Sequence, residues 1–212
     1  MIQIAISDEI YHVCPEFAIS AIQCKVKNMP YNEKLWQEIR AFSEKFVSDT
    51  PLNQINKLPN IVETRKTYKL LGKDPNRYRP SAEALCRRIV RGIPLYQIDT
   101  LVDLINLISM KSGYSIGGFD ADKIDGNLIL GVGKTNEKFE AIGRGLLNIE
   151  GLPVYRDNIG GIGTPTSDEE RTKISLETTN LLMVINGYSG EKGLEEGTEY
   201  AKELLNKYCV AP

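Results

Sequence analysis

The chain has 212 residues, 42% of them hydrophobic, and a formal net charge of −2, enough to bury a core and too nearly neutral to imply a nucleic-acid or membrane partner from overall charge. No apolar run approaches the ~20 residues of a membrane span, and the start MIQIAISDEI has neither a basic opening nor a long apolar stretch, so neither a membrane protein nor a secretory signal is expected. Cys14, Cys24, Cys86 and Cys209 show no paired spacing and His12 is the single histidine; free thiols in the cytoplasm, no metal and no cofactor are expected, and most Ser-His and Cys-His schemes are excluded unless His12 itself is placed for the task.

In chain order, strand-like runs occur at 2–6 and 17–26. Asn32 is placed to cap a helix whose Leu35, Ile39, Phe42 and Phe46 recur at spacings of four, three and four. Ser81 is expected to cap a second helix, with Glu83 in its first turn and Gly92-Ile93-Pro94 ending it. A third, over 100–110, is apolar nearly all round and should lie deep. Strand-like runs follow at 127–132, 152–156 and 181–185. A last helix over 194–208 carries Leu194, Ala201, Leu204, Leu205 and Tyr208 on one side. With no internal repeat and no linker, these interleaved elements predict one α+β domain over 1–212, with 1–58 as a candidate smaller subdomain.

Three stretches carry possible chemistry. GVGKT at 131–135 ends like a phosphate-binding loop, but the glycine that loop needs five residues before the Gly-Lys pair is replaced by Leu128, so a strand-ending turn is expected. Between Arg65 and Arg91 stand nine basic residues and two acids, a charge of +7 against −9 on the rest. Arg87, Arg88 and Arg91 on the Ser81 helix, with Arg77 and Arg79 before it, can form a face for a phosphate backbone, and Tyr68 and Tyr78 can stack on bases. The alternative is a solvated basic face paired with the acidic remainder.

The third stretch is GGIGTPTSDEERT at 160–172. Ser167 and Glu170 have capping-box spacing, which leaves the glycines and the Thr-Pro-Thr-Ser-Asp run unexplained. Backbone N–H groups of Gly160, Gly161 and Gly163 beside hydroxyls and an acid suit a polar small molecule or a carbonyl oxygen. A plain surface loop is the alternative.

From Arg65 to Ile185 the order of motifs resembles the B3/B4 domain of the phenylalanyl-tRNA synthetase beta subunit, above all its free-standing relatives. SAEALCRRIVRGIPLYQIDTLVDLINLI resembles the family's basic helix, Pro-containing turn and Asp-x-x-Asn helix. GGFDADKI resembles its Phe-Asp segment, NIGGIG its glycine-rich loop, and TPTSDEERTKISLETTNLLMVI its closing loop and strand. The resemblance implies an α+β fold with a sandwich-like mixed β core flanked by helices, and a role in tRNA quality control, since in the synthetase this domain hydrolyses tyrosine wrongly attached to the phenylalanine tRNA. Such editing is water attack on an ester, which needs positioning and oxyanion stabilisation more than a histidine.

On that resemblance Gly160, Gly161 and Gly163 are expected to donate backbone N–H groups, Thr164, Thr166 and Ser167 to orient water or the amino acid, and Asp168 to engage an amino group or water, with Thr166 and Asp168 as the catalytic candidates. Arg171 is expected to hold Asp168 or a phosphate, Phe119 and Asp120 to buttress the pocket, and Arg77, Arg79, Arg87, Arg88 and Arg91 to receive tRNA. Two departures stand out. Gly117 occupies the place of the synthetase's histidine, and the glutamate that reads the tyrosine hydroxyl would fall near Ile185 or Asn186, so tyrosine specificity does not carry over. The partners implied are tRNA or aminoacyl-tRNA; the rivals are a non-catalytic module for tRNA or a free amino acid, and an unrelated small-molecule enzyme.

Overall fold

The computed structural model describes residues 1–209. In chain order the elements are β1 (Ile4–Ile6), α1 (Asp8–Val13), β2 (Ala18–Lys25), α2 (Glu33–Asp49), α3 (Pro59–Leu70), α4 (Ser81–Val90), α5 (Thr100–Ser112), β3 (Ile116–Asp120), β4 (Leu128–Val132), β5 (Glu140–Ala141), β6 (Gly145–Leu146), β7 (Pro153–Arg156), β8 (Gly161–Gly163), β9 (Asn180–Gly187) and α6 (Leu194–Tyr208), with short 3₁₀ turns at Ile55–Lys57 and Ala121–Lys123. The chain is α+β: two sheets, one antiparallel and one mixed, stack face to face, and helices cover the outside of one of them.

One sheet has the order β2-β9-β3, antiparallel throughout; the other is β1-β4-β7-β8, with β1 and β4 parallel. The alternation along β9 decides which layer each side chain joins. Leu181, Met183 and Ile185 pack with α2, α5 and α6, whereas Leu182 and Val184 face Leu128, Leu130, Tyr155 and Ile162 of the second sheet. A strand buried on both faces reads as an unbroken apolar run, which is why LLMVI carries no visible alternation. The first 58 residues are woven into this core, since β1 edges one sheet and β2 pairs with all of β9 from Ala18↔Gly187 to Lys25↔Asn180.

The helices follow their sequence signals with two differences. Asn32 caps α2 by accepting the Leu35 N–H, Asp99 caps α5 by accepting that of Val102, and Gly113 ends α5 in the left-handed region at φ +76°. Ser81 is not a cap. Pro80 takes the N-cap place with extended backbone, and the Ser81 N–H donates to the carbonyl of Pro165, tying the start of α4 to the Thr-Pro-Thr loop. The second difference is two helices that periodicity did not predict, α1 and α3. Helix α1 spans only six residues, too short for a repeat to show, and α3 buries the polar Thr64, Arg65 and Thr67 with Ile61 and Tyr68, so its inner face is not apolar.

The Gly131–Thr135 stretch forms the expected turn: β4 ends at Val132, and the Gly133 N–H donates to Leu152 O. Among the described residues no helix is long and apolar enough to cross a membrane.

Candidate functional site

Helix α5 presents Val102, Ile105, Asn106 and Ser109, spaced three, one and three apart and so on one side of the helix, to a cleft of about 390 Å3. Ser81 and Leu85 of α4 form a second wall, Ile116 and Gly118 of β3 a third, and Thr164, Ser167, Asp168 and Ile174 close it, with Ile98 and Ile142 among its remaining lining. Most of the surface is apolar; its polar groups are Thr164, Ser167 and Asp168 of the 164–168 loop together with Ser81, Asn106, Ser109 and Lys173, whose ammonium pairs with Glu170.

This loop is a tight hairpin rather than a helix start. The Thr164 hydroxyl accepts the N–H groups of Thr166 (3.1 Å) and Ser167 (3.0 Å) and donates to Ser167 O (3.0 Å), a local pattern that competes with helix formation. Gly163 and Asp168 then face each other as an antiparallel bridge. The capping-box reading is therefore corrected, since the Glu170 carboxylate accepts the Gly143 N–H and pairs with Lys173 instead of returning to Ser167.

Asp168 is the chemically distinctive group in the cleft. Its carboxylate accepts one backbone N–H, that of Gly118, at 3.3 Å, and removal from water pushes its pKa up to about 7 while that single bond pulls the other way. Two glycines make the placement possible. A Cβ at Gly163 would lie 2.8 Å from the Asp168 Oδ1 and 2.6 Å from the Phe119 ring, and one at Gly118 would lie 2.5 Å from the Ile105 Cδ1. Larger residues at either position would displace the carboxylate or the aliphatic wall.

The other candidate residues separate into those that face the cleft and those that do not. Thr164 and Ser167 line it with Asp168. Thr166 is buried behind it, its hydroxyl 2.9 Å from that of Tyr68, so the expected catalytic hydroxyl has no access to a substrate. Gly160, Gly161 and Gly163 do not converge on the cleft: the Gly160 N–H donates to Asp157, and Gly161–Gly163 form β8 against β7. The backbone donor that does reach the Asp168 carboxylate is Gly118.

Arg171 holds Asp157 through two bonds of 2.9 and 3.0 Å, not Asp168. Phe119 is fully buried between the sheets, and Asp120 accepts the Thr178 hydroxyl and the Asp122 N–H and pairs with Lys123, away from the cleft lining. Asn106, which the sequence reading did not single out, is the carboxamide of the lining; its Asp-x-x-Asn spacing from Asp103 was the available signal. Asp103 itself is turned elsewhere, accepting the Trp36 indole N–H at 2.6 Å and the Ile98 N–H at 3.1 Å, and burial pushes its pKa up to about 6.

The basic segment is largely committed to the fold. Glu83, fully buried, accepts Arg65 at 2.8 Å and Arg87 at 2.7 Å, and Arg79 lies 3.6 Å away. Lys73 is buried and donates to the carbonyls of Asn148 and Glu150 with its ammonium 3.8 Å from the Tyr78 ring centre. Arg88 donates to Pro94 O at 2.6 Å and stacks on Tyr96 at 4.0 Å. Arg77 and Arg91 are exposed. Arg87, Arg88 and Arg91 thus do not present three free guanidinium groups on one face, and Tyr68, fully buried, cannot stack on a base.

Residues 63–209 match the model of the B3/4 domain. The phenylalanine–tRNA ligase beta subunit of Bartonella henselae is 30% identical over 148 residues, which cover 57% of this chain and 18% of that protein. An N-terminal fragment of the phenylalanyl-tRNA synthetase beta subunit from Pyrococcus horikoshii aligns over 97% of this chain and 48% of that one, with 14% identity and a TM-score of 0.49. The chain therefore spans less than half the length of each of these relatives. The match over 63–209 runs from within α3 to the end of α6 and takes in every wall of the Asp168 cleft, and the chain belongs to the B3/4 domain family.

Proposed function

We propose that this protein recognises the aminoacyl end of a charged tRNA in the α4–α5 cleft and releases the amino acid by hydrolysis of the ester. The observation that supports it is Asp168: a carboxylate at an aliphatic cleft with a single N–H partner is a seat for a ligand's ammonium group. The amino acid's side chain then lies along Leu85, Val102, Ile105 and Ile174, and its carbonyl lies near the polar 164–168 loop. Water attack is assisted by the terminal ribose of the tRNA, as the family resemblance implies.

A second reading has its own support. Thr166 is withdrawn into the core and the Thr164 hydroxyl is consumed by its turn, so neither threonine of the loop is free to act as a nucleophile. On that reading the cleft binds an aminoacyl group or a free amino acid without chemistry. A panel of tRNAs, each charged with one radiolabelled amino acid, separates the two: release above the spontaneous rate for at least one member is expected, and binding of a charged tRNA without release would establish the non-catalytic module. Binding neither charged tRNA nor amino acid would remove both.

The pH dependence follows from the direction of the shift. Ammonium binding requires ionised Asp168, whose pKa stands near 7, and a protonated α-amino group, which titrates near 7.7–8.0. Affinity should therefore peak between about pH 7 and 8 and fall about tenfold for each unit below 7, as isothermal titration with an amino-acid amide would show.

A further inference from the structure

The segment between α4 and α5, Gly92–Ile98, runs over the surface as an extended strap with cavities on both sides. Ile98 lines the Asp168 cleft. Gly92 to Gln97 line a separate groove of about 950 Å3, whose other wall is α2 with Trp36, Ile39 and Val47. Leu95 anchors the strap in the helical core, which leaves Ile93 42%, Tyr96 66% and Ile98 54% exposed.

Tyr96 is not loose on this surface. The Arg88 guanidinium lies 4.0 Å from its ring centre and is itself fixed by donating Nε–H to Pro94 O at 2.6 Å. One side of the ring is therefore backed by a cation, and the ring remains mostly exposed. A tyrosine held in place with an oriented guanidinium combines a surface for base stacking with donors for a phosphate.

We propose that Tyr96, backed by Arg88, is the seat for the unpaired nucleobase that precedes the aminoacylated nucleotide at the 3′ end of an RNA, this base entering the groove while the aminoacyl end lies in the cleft across the strap. The proposal rests on the reading of the cleft given above. Its occupant follows from three observations: an exposed aromatic face, a guanidinium beside it for the phosphate, and continuity with the cleft, because Ile98 and Tyr96 are two residues apart, about 7 Å of extended chain.

Two stable probes test it: puromycin, an aminoacylated nucleoside joined by an amide, and the same compound extended by two 5′ cytidines, CC-puromycin. Affinities are measured by calorimetry at pH 7.5 for wild type, Tyr96→Ala and Tyr96→Phe. The wild type should bind the longer probe at least tenfold more tightly than the shorter one. Tyr96→Ala should reduce that ratio by fivefold or more, as expected for loss of one stacked base at about 1–3 kcal/mol. Tyr96→Phe should retain it, because the ring face and not the hydroxyl does the stacking. Arg88→Gln should also reduce the ratio and flatten its salt dependence. An unchanged ratio in Tyr96→Ala, at matched melting temperature, would overturn the proposal alone. Failure of both probes to bind the wild type at millimolar concentration would overturn it together with the reading of the cleft.

Discussion

The arginine-rich segment and the Asp168 cleft place charge under opposite conditions. Around Glu83 a buried carboxylate meets Arg65 and Arg87 at hydrogen-bonding distance, with Arg79 just beyond. Asp168, also drawn out of water, accepts one backbone N–H, and among the described residues no cation pairs with it, Lys173 of the same cleft being held by Glu170. Charge compensated within the fold holds the fold together; charge left with one weak partner is available to a ligand. The +7 segment thus reads in sequence as a binding surface, but much of it is scaffold, and the acid in the glycine-rich loop faces the cleft.

The largest effect is expected at Glu83. Its removal in Glu83→Ala leaves Arg65 and Arg87 mostly buried without a carboxylate partner, Arg65 keeping only the neutral acceptors Pro75 O and Asn76, at a cost of roughly 3–5 kcal/mol. Urea denaturation should show the loss in the midpoint, and an unchanged midpoint would mean that these arginines are not structural.

Asp168→Asn should act the other way on stability. The folded state raises the Asp168 pKa from 3.8 to about 7, so the native protein binds the proton more tightly than the unfolded chain, and wild-type stability falls as pH rises from about 4 to about 7. The variant lacks this term. Its melting temperature should exceed that of the wild type at pH 8, with the gap closing as pH is lowered towards 4, while affinity for an ammonium ligand drops tenfold or more, about 1.5–3 kcal/mol. A destabilised variant at pH 8 would instead make the carboxylate a structural acceptor.

Much of the architecture was legible in sequence because it depends on local signals: Asn32 as a cap, the apolar spacing of α2, the ends of α6, the cores of β2, β4, β7 and β9. What sequence could not show were pairings made at long range. The partner of Arg171 is Asp157, fourteen residues back across β8; Thr166 meets Tyr68 from a different element; and the donor to Asp168 is Gly118, fifty residues away. One pairing did leave a trace. Glu83 and Arg87 stand four apart within α4, the spacing of neighbours on a helix surface, so the pairing of at least one arginine of the segment with its own acid had a local signal.

The smallest effect is expected at Arg91, which contrasts with Arg87 of the same basic segment. Arg91 is exposed just beyond α4, whereas Arg87 donates to Glu83 within it. Arg91→Glu should leave stability within about 0.5 kcal/mol of wild type. If tRNA passes this end of α4, it should also weaken tRNA binding and lower the salt-dependence slope by about one. Arg87→Glu places a second carboxylate beside buried Glu83 and removes one of its donors, so it should lower the unfolding midpoint before any effect on tRNA can be read. Measured together by denaturation and by binding over a salt series, the pair separates two uses of the same residue type. Equal stability losses in both variants would mean that Arg91 belongs to the Glu83 cluster; equal losses of tRNA affinity without loss of stability would mean that Arg87 turns away from Glu83 to meet RNA.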